Sequence, residues 1–221
     1  MNLEQLKTLW DGFLRFLLPE SAELRQFKSM NAGELRSTAP ALAKDLEGIP
    51  GTTAVFNYRN PLVKAGILAL KFRGDRKAAA LLADALFEVL SAEEEDSAPF
   101  EGRKKPIIAI IPLSKRRLRE RGFNQCGLLI DCLPPESQSF FETRKGLLHK
   151  VRETAPQMKL NLAERLKNIR GAFEVAEPKK VRGRRVIVID DVTTTGATFA
   201  EARRALLTVG AKEVVCVALA H

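Results

Sequence analysis

The sequence is poor in cysteine, histidine and aromatic residues, and each shortage narrows what the chain can be. Its 221 residues hold three cysteines, at positions 126, 132 and 216, and no two of them form a C-x-x-C pair. That argues against a disulfide framework and against a zinc ribbon. The thiols read instead as small apolar fillers in a reducing compartment. The two histidines, His149 and His221, are too few and too scattered to suggest a metal site. No apolar run is long enough to span a bilayer. The N-terminus MNLEQLKTLWDGFLRFLLPE has no basic region ahead of an apolar one, and Glu4 and Asp11 interrupt it. It therefore does not read as a secretory signal, and a cytoplasmic protein is the expectation. No G-x-x-x-x-G-K-[ST] occurs; Gly122–Gly127 is followed by Leu128, which removes a P-loop from consideration.

What the chain has in excess is positive charge. It carries 36 Lys and Arg against 27 Asp and Glu, a formal net charge of +9. Such a balance favours anionic partners: nucleotides, sugar phosphates or nucleic acid. Hydrophobic residues make up 45%, enough for a sizeable core. The length suits one α/β domain with an appendage, here divided into an N-terminal helical segment, 1–50, and a main domain, 51–221. Leu3, Leu6, Trp10, Phe13 and Leu17 recur at helical spacing, predicting an amphipathic helix over 3–18 that Pro19 stops.

The main domain reads as strands alternating with helices. TAVFNY (53–58) is a strand candidate, and Asn60-Pro61 then caps and opens a helix that ends near Gly74. Asp75 can cap a second helix running to about Leu90. The charged stretch 91–105 reads as a solvated loop. PIIAIIPL (106–113) is a continuous apolar run, like a strand covered on both faces, and a very basic turn follows it over 114–125. A helix is expected from there to about Cys132. Residues 140–158 are ambiguous. Asn161 with Glu164 forms a capping box for a helix that Gly171 ends. AFEV (172–175), RVIVID (185–190) and EVVCVALA (213–220) read as strands, with a helix before Gly210. The alternation implies a mostly parallel sheet flanked by helices.

The most specific signal is VIVIDDVTTTGAT, residues 186–198. An apolar strand delivers Asp190 and Asp191 to its carboxyl end, where open α/β sheets bind ligands. Neighbouring side chains on a strand point to opposite faces. If both acids serve one ligand, the strand must already be turning there. The turn Thr193–Thr198 opens a helix, whose free amides and positive dipole end suit a phosphate. Gly196 removes a side chain where backbone and anion approach, and the threonine hydroxyls add donors. Carboxylates beside a phosphate make sense only if they receive donors, such as two vicinal sugar hydroxyls or a hydrated metal ion. A ligand with one phosphate and a diol a sugar ring away is a ribose 5-phosphate. A receiver-domain acid pair needs further βα units, for which too little chain follows Asp191. A plain strand–cap–helix junction does not need two acids, four threonines and a glycine.

This stretch resembles the phosphoribosyl-pyrophosphate (PRPP) motif of type I phosphoribosyltransferases. LALKFRGD (68–75), IPLSKRRLRERGFNQ (111–125), RETAPQ (152–157) and GAF (171–173) occur in the order seen in ComF-like proteins, the competence- and gluconate-utilisation-associated relatives of that fold. The resemblance implies the type I phosphoribosyltransferase-like α/β fold over about residues 53–221. It also implies roles. Asp190 and Asp191 would hold the ribose hydroxyls, and Thr193, Thr194, Thr195, Gly196, Ala197 and Thr198 would wrap the 5-phosphate. Leu113, Ser114, Lys115 and Arg116 would form the pyrophosphate loop, with Mg²⁺ arriving with PRPP. Arg152, Thr154 and Gln157 would belong to the mobile loop. ComF-like proteins usually carry an N-terminal zinc ribbon. Here the corresponding stretch has no cysteine, with Ser21 and Leu24 about where one pair would stand, so no zinc is expected.

Two functions follow from the resemblance. One is a PRPP-binding transferase with an unknown acceptor. The other is a protein that handles single-stranded DNA, with a competence or DNA-processing protein as a further partner. The basic runs Lys115–Arg121, Arg144–Arg152 and Lys179–Arg185 favour the second, but none of them holds an aromatic residue, and only Phe123 stands close by, just past the first. Single-strand binders interleave stacking rings with cations.

Overall fold

The computed structural model describes residues 20–39, 51–95, 104–153, 164 and 168–221. The helix expected over 3–18, Asn161 of the expected capping box and most of the helix after it lie outside these residues.

Five parallel strands form the central sheet: β1 (Thr52–Phe56), β2 (Ile107–Ile110), β3 (Glu142–Thr143), β6 (Arg185–Val192) and β7 (Glu213–Ala220). Their spatial order is β1-β7-β6-β2-β3, with β6 in the middle. The sheet is covered on both faces. On one face Val55, Ile108, Ile110, Ile187, Ile189 and Val217 meet helices, and on the other Ile107, Ala109, Val186, Val188 and Cys216 do. Strands buried on both sides need apolar residues at every position, which is why β2 and β6 read as continuous hydrophobic runs. β4 (Leu148–Lys150) and β5 (Phe173–Val175) pair antiparallel in a separate two-stranded sheet. The strand expected at AFEV thus forms but does not join the main sheet.

The first face carries α1 (Ala22–Ser29), α2 (Ala32–Thr38), α3 (Pro61–Arg73) and α4 (Arg76–Glu95). Their ends follow from local chemistry. Asn60 accepts from the amides of Leu62 and Val63, Pro61 pre-sets the first turn, and Gly74 ends α3 at φ +57°, a conformation that favours glycine. Asp75 Oδ1 then accepts from the amides of Lys77 and Ala78 to start α4. α4 runs five residues past the expected end at Leu90, into what was read as loop. The cause is tertiary. Glu94, 5% exposed, pairs with Arg185 at the start of β6, an anchor that no local propensity could announce.

A second departure lies in the basic stretch after β2. It is not an open turn but α5 (Lys115–Arg121), capped by Ser114 Oγ accepting from the Arg117 amide and ended by Gly122 at φ +78°. None of its residues is buried, so no apolar periodicity marks it in the sequence. α6 (Gln125–Asp131) follows as expected, capped by Asn124. The break expected at 134–139 contains the single turn α7 (Ser137–Phe140), and α8 (Pro178–Val181) is equally short. α9 (Ala197–Thr208) covers the second face.

α1 and α2 share the core of α3 and α4. Ser21 serves as the N-cap of α1 and Leu24 as a core residue, 4% exposed. Phe27 is fully buried, and its ring lies against Gly66 inside α3. A Cβ at Gly66 would sit 2.4 Å from Phe27 Cζ. Gly66→Ala should therefore lower stability by about 1–3 kcal/mol through overpacking, outweighing the helix-propensity gain of about 0.5–1 kcal/mol. Urea unfolding measures this. A more stable variant would show that Phe27 does not hold the N-terminal helices onto the domain through this contact.

Candidate functional site

β6 alternates strictly until its end. Val186 and Val188 face one core, Ile187 and Ile189 the other. The alternation then fails. Asp190 should point with Val188, yet its Oδ1 lies 3.7 Å from Cys126 Sγ, on α6 of the opposite face. Val192 packs on that same face. The side-chain alternation breaks where the acids stand, although Asp190 and Val192 stay paired with Ala218 and Ala220 of β7, and both carboxylates come to one side. Each is pinned locally: Asp190 Oδ1 accepts from the Asp191 amide at 2.9 Å, and Asp191 Oδ1 from the Val192 amide at 2.8 Å.

Asp191 is 4% exposed and would be an unpaired buried charge without Lys71. The Lys71 ammonium, on the last turn of α3, stands 2.9 Å from Asp191 Oδ2. The pair is charge against charge rather than an aligned hydrogen bond. Lys71 also attracts Asp190. Even so, the low-polarity surroundings of Asp190 win: its pKa rises from 3.8 to about 6, held from going higher by Lys71, the Cys126 thiol, Arg117 and Arg121. Burial pulls the Lys71 pKa down, against the attraction of Asp190. It pushes the Cys126 thiol well up, which keeps that thiol protonated as a donor to Asp190.

Five residues after Asp191, Gly196 takes φ +66° and becomes the N-cap of α9. A glycine there has no side chain with which to cap the helix. The first-turn amides, those of Ala197, Thr198 and Phe199, have no intrahelical acceptors and stand at the positive end of the dipole. Thr193, 6% exposed, is committed to structure: its amide donates to the Ala220 carbonyl at 3.0 Å. His221 Nδ1 lies 3.2 Å from the Thr193 carbonyl, a contact that requires the proton on Nδ1. Thr194 is exposed, and Thr195 and Thr198 are half-buried at the mouth of the turn.

The other residues singled out in the sequence are placed as follows. Leu113 and Ser114 follow β2, with Ser114 buried as the cap of α5. The Lys115 amide donates to Glu153 Oε1 at 3.2 Å. Arg116 pairs with Glu120 on the outer surface of α5, where both are mostly exposed. Arg152 donates to the carbonyls of Asn168 and Arg170, tying together the two ends of the segment between them. Thr154 and Gln157 lie outside the described residues. Lys71, Arg117, Arg121 and Cys126, which surround the acids electrostatically, were missed by sequence reasoning. LALKFRGD and the basic stretch were noted, but nothing in their spacing shows which cations turn inward. Among the described residues no three Asp, Glu, His or Cys side chains come together to hold a metal ion.

The shift at Asp190 has a consequence for stability. The folded protein keeps that proton up to about pH 6, whereas the unfolded chain releases it near 3.8. Between those values the folded state binds the extra proton, so this group's contribution to stability falls as pH rises, and the cost is complete above pH 6. Asp190→Asn should therefore be more stable than the wild type at pH 8 by about 1–3 kcal/mol, with the difference vanishing near pH 3.5. Urea unfolding at the two pH values checks it; an equal difference at both would contradict the assigned shift.

The phosphoribosyl transferase domain family matches residues 147–221. A DNA utilization protein YhgH of Salmonella typhi is 36% identical over 162 residues, 73% of this chain and 67% of that protein. The competence protein ComFC of Bacillus subtilis is 32% identical over 161 residues, 71% of this chain but 58% of that protein's length. Among solved structures, the allosteric regulatory enzyme of purine biosynthesis is similar at a TM-score of 0.39 and 16% identity, over 69% of this chain and 30% of that one. Identity above 30% across two thirds of a relative, on a mostly parallel sheet flanked by helices, is shared descent: the chain belongs to the ComF-like family, which is built on a phosphoribosyltransferase domain.

Proposed function

We propose that the corner after β6 binds PRPP or another ribose 5-phosphate. The observation that carries this reading is the failure of alternation at Asp190–Val192, which brings two adjacent carboxylates to one side, just ahead of a helix whose N-cap is a glycine. On this reading Asp190 and Asp191 accept the two ribose hydroxyls. The turn Thr194–Thr198 receives the 5-phosphate through amides and hydroxyls. Lys115 and Arg116 at the start of α5 meet the pyrophosphate. Mg²⁺, arriving with the pyrophosphate, would neutralise part of its charge there.

Transfer to an acceptor would break the bond between the sugar C1 and the pyrophosphate oxygen, with the electron pair leaving on pyrophosphate, and form a bond from C1 to the acceptor. The sugar becomes cationic while anionic charge builds on the leaving group. Cations placed beforehand around the pyrophosphate would stabilise that change, and the corner would hold the ring in line. None of these residues names the acceptor.

A second reading, binding of single-stranded DNA, has an observation of its own. The sequence offered one aromatic beside the basic runs, and the fold supplies another. The Arg121 guanidinium lies 5.5 Å from the centroid of the Phe72 ring, and Phe72 is 54% exposed. A ring beside cations on an open surface is the arrangement on which single-strand binding relies. The names of the relatives, DNA utilization and competence, point the same way.

Calorimetry with PRPP and Mg²⁺ tests the first reading. The wild type should bind, and Asp190→Asn should weaken binding at least about tenfold, the loss of a charged hydrogen-bond partner. Undiminished affinity in that variant would overturn it. Oligo-dT titrations test the second. Affinity should fall linearly in log–log form with salt, and Phe72→Ala should cost about 1–3 kcal/mol. Binding indifferent to both would remove DNA from the reading.

A further inference from the structure

The carboxyl ends of β2 and β7 flank that of β6 on opposite sides, since the sheet runs β1-β7-β6-β2-β3. On the PRPP reading the pyrophosphate leaves toward the β2 side, where Lys115 and Arg116 begin α5. A nucleophile that displaces it in line comes to the sugar C1 from the other side, that of β7 and β1. Resting on that reading, we propose that His221, just past the end of β7, is a specificity-determining residue of the acceptor subsite. Its ring accepts a hydrogen bond from an N–H of the acceptor, a flat nitrogen heterocycle.

His221 is fixed at both main-chain groups. Its amide donates to the Phe56 carbonyl at 3.2 Å, and its carbonyl accepts from the Tyr58 amide at 2.9 Å, so the ladder between β7 and β1 continues through it. The ring is fixed as well, toward β6: Nδ1 lies 3.2 Å from the Thr193 carbonyl. A carbonyl can only accept, so the proton of the neutral imidazole is on Nδ1 and Nε2 keeps its lone pair. The two nitrogens point away from each other across the ring. Nε2 is therefore turned away from Thr193, has no hydrogen-bond partner among the described residues, and belongs to an exposed side chain.

That nitrogen stands beside the corner. Thr193 follows Asp191 by two residues and leads into the turn at 194–198, so the imidazole lies against the main chain that joins the paired acids to the phosphate turn. Tyr58 is its neighbour. The Tyr58 amide donates to His221, and the half-buried side chain packs on the face to which both carboxylates come. An aromatic ring partly open to solvent next to an imidazole favours a flat partner over an aliphatic one. Nε2 then sets the chemistry of that partner's edge. With Nδ1 committed as the donor, Nε2 of the neutral ring accepts and does not donate. It favours a base that presents an N–H over one that presents only bare nitrogens or carbonyls, which would be left unpaired against it.

Nucleoside 5′-monophosphates carry the ribose 5-phosphate and the base in one molecule, so they probe corner and subsite together. Purine riboside 5′-monophosphate has a base with no N–H; the 5′-monophosphates of adenosine, inosine and uridine each have one. Calorimetry on the full chain should show at least one of these three binding about three- to tenfold more tightly than purine riboside 5′-monophosphate. His221→Ala should erase that difference and leave ribose 5-phosphate binding unchanged. The variant keeps both main-chain hydrogen bonds of residue 221 and removes only an exposed side chain, so it folds. His221→Gln, whose side-chain carbonyl can stand in for Nε2, should restore part of the difference. No preference for the N–H-bearing nucleotides, a preference that survives His221→Ala, or an equal loss of ribose 5-phosphate binding in that variant overturns the proposal. A wild type that does not bind ribose 5-phosphate at all counts instead against the corner, and the subsite falls with it.

Discussion

Two adjacent carboxylates come to one side of a strand only where its side-chain alternation breaks. That constraint governs this protein. The break at Asp190–Val192, in a strand that stays paired with β7, puts like charges side by side at the end of the central strand, partly out of water, and something must compensate them. The compensation is Lys71, reaching from α3 to stand 2.9 Å from Asp191 Oδ2. Removing one member of a buried pair costs about 3–5 kcal/mol, because the other is left without a partner. The ion pair therefore fixes α3 against β6, and α3 in turn carries Gly66, against which Phe27 and the N-terminal helices pack. Site and scaffold depend on one contact.

The same arrangement explains why the corner is costly and why it persists. Asp190 sits where its charge is disfavoured, with its pKa near 6, although four groups attract or donate to it. A protein selected for stability alone would place an amide or an apolar residue there. Strained electrostatics of this kind mark sites held ready for a ligand. On the proposed function, a sugar's hydroxyl pair would supply the donors that the acids lack, and a phosphate the charge that the start of α9 favours, so that one molecule would fill both.

Much of this was legible in the sequence, for reasons that differ by element. β6 and β7 announce themselves because burial on both faces leaves only apolar residues. α3 announces its ends through Asn60, Pro61 and Gly74. The acid pair and the threonine turn stood out because no structural need accounts for them. α5 was hidden because a helix with no buried face has no periodicity, and its cap, Ser114, is a single residue. The last turn of α4 was hidden because its anchor, Arg185, lies on a distant strand. Lys71 was hidden for the same reason: KFRGD shows a lysine in a helix but not the carboxylate it meets. Phe72 read as a scattered aromatic until the fold set it beside Arg121.

The central claim, that the break in β6 and the start of α9 together hold one ribose 5-phosphate, is tested most directly by a crystal structure of the protein soaked with that compound. The account predicts the phosphate within hydrogen-bond reach of the amides of residues 196–199 and the hydroxyl pair on Asp190 and Asp191. A sugar phosphate bound elsewhere, with no phosphate at that helix start, would contradict it.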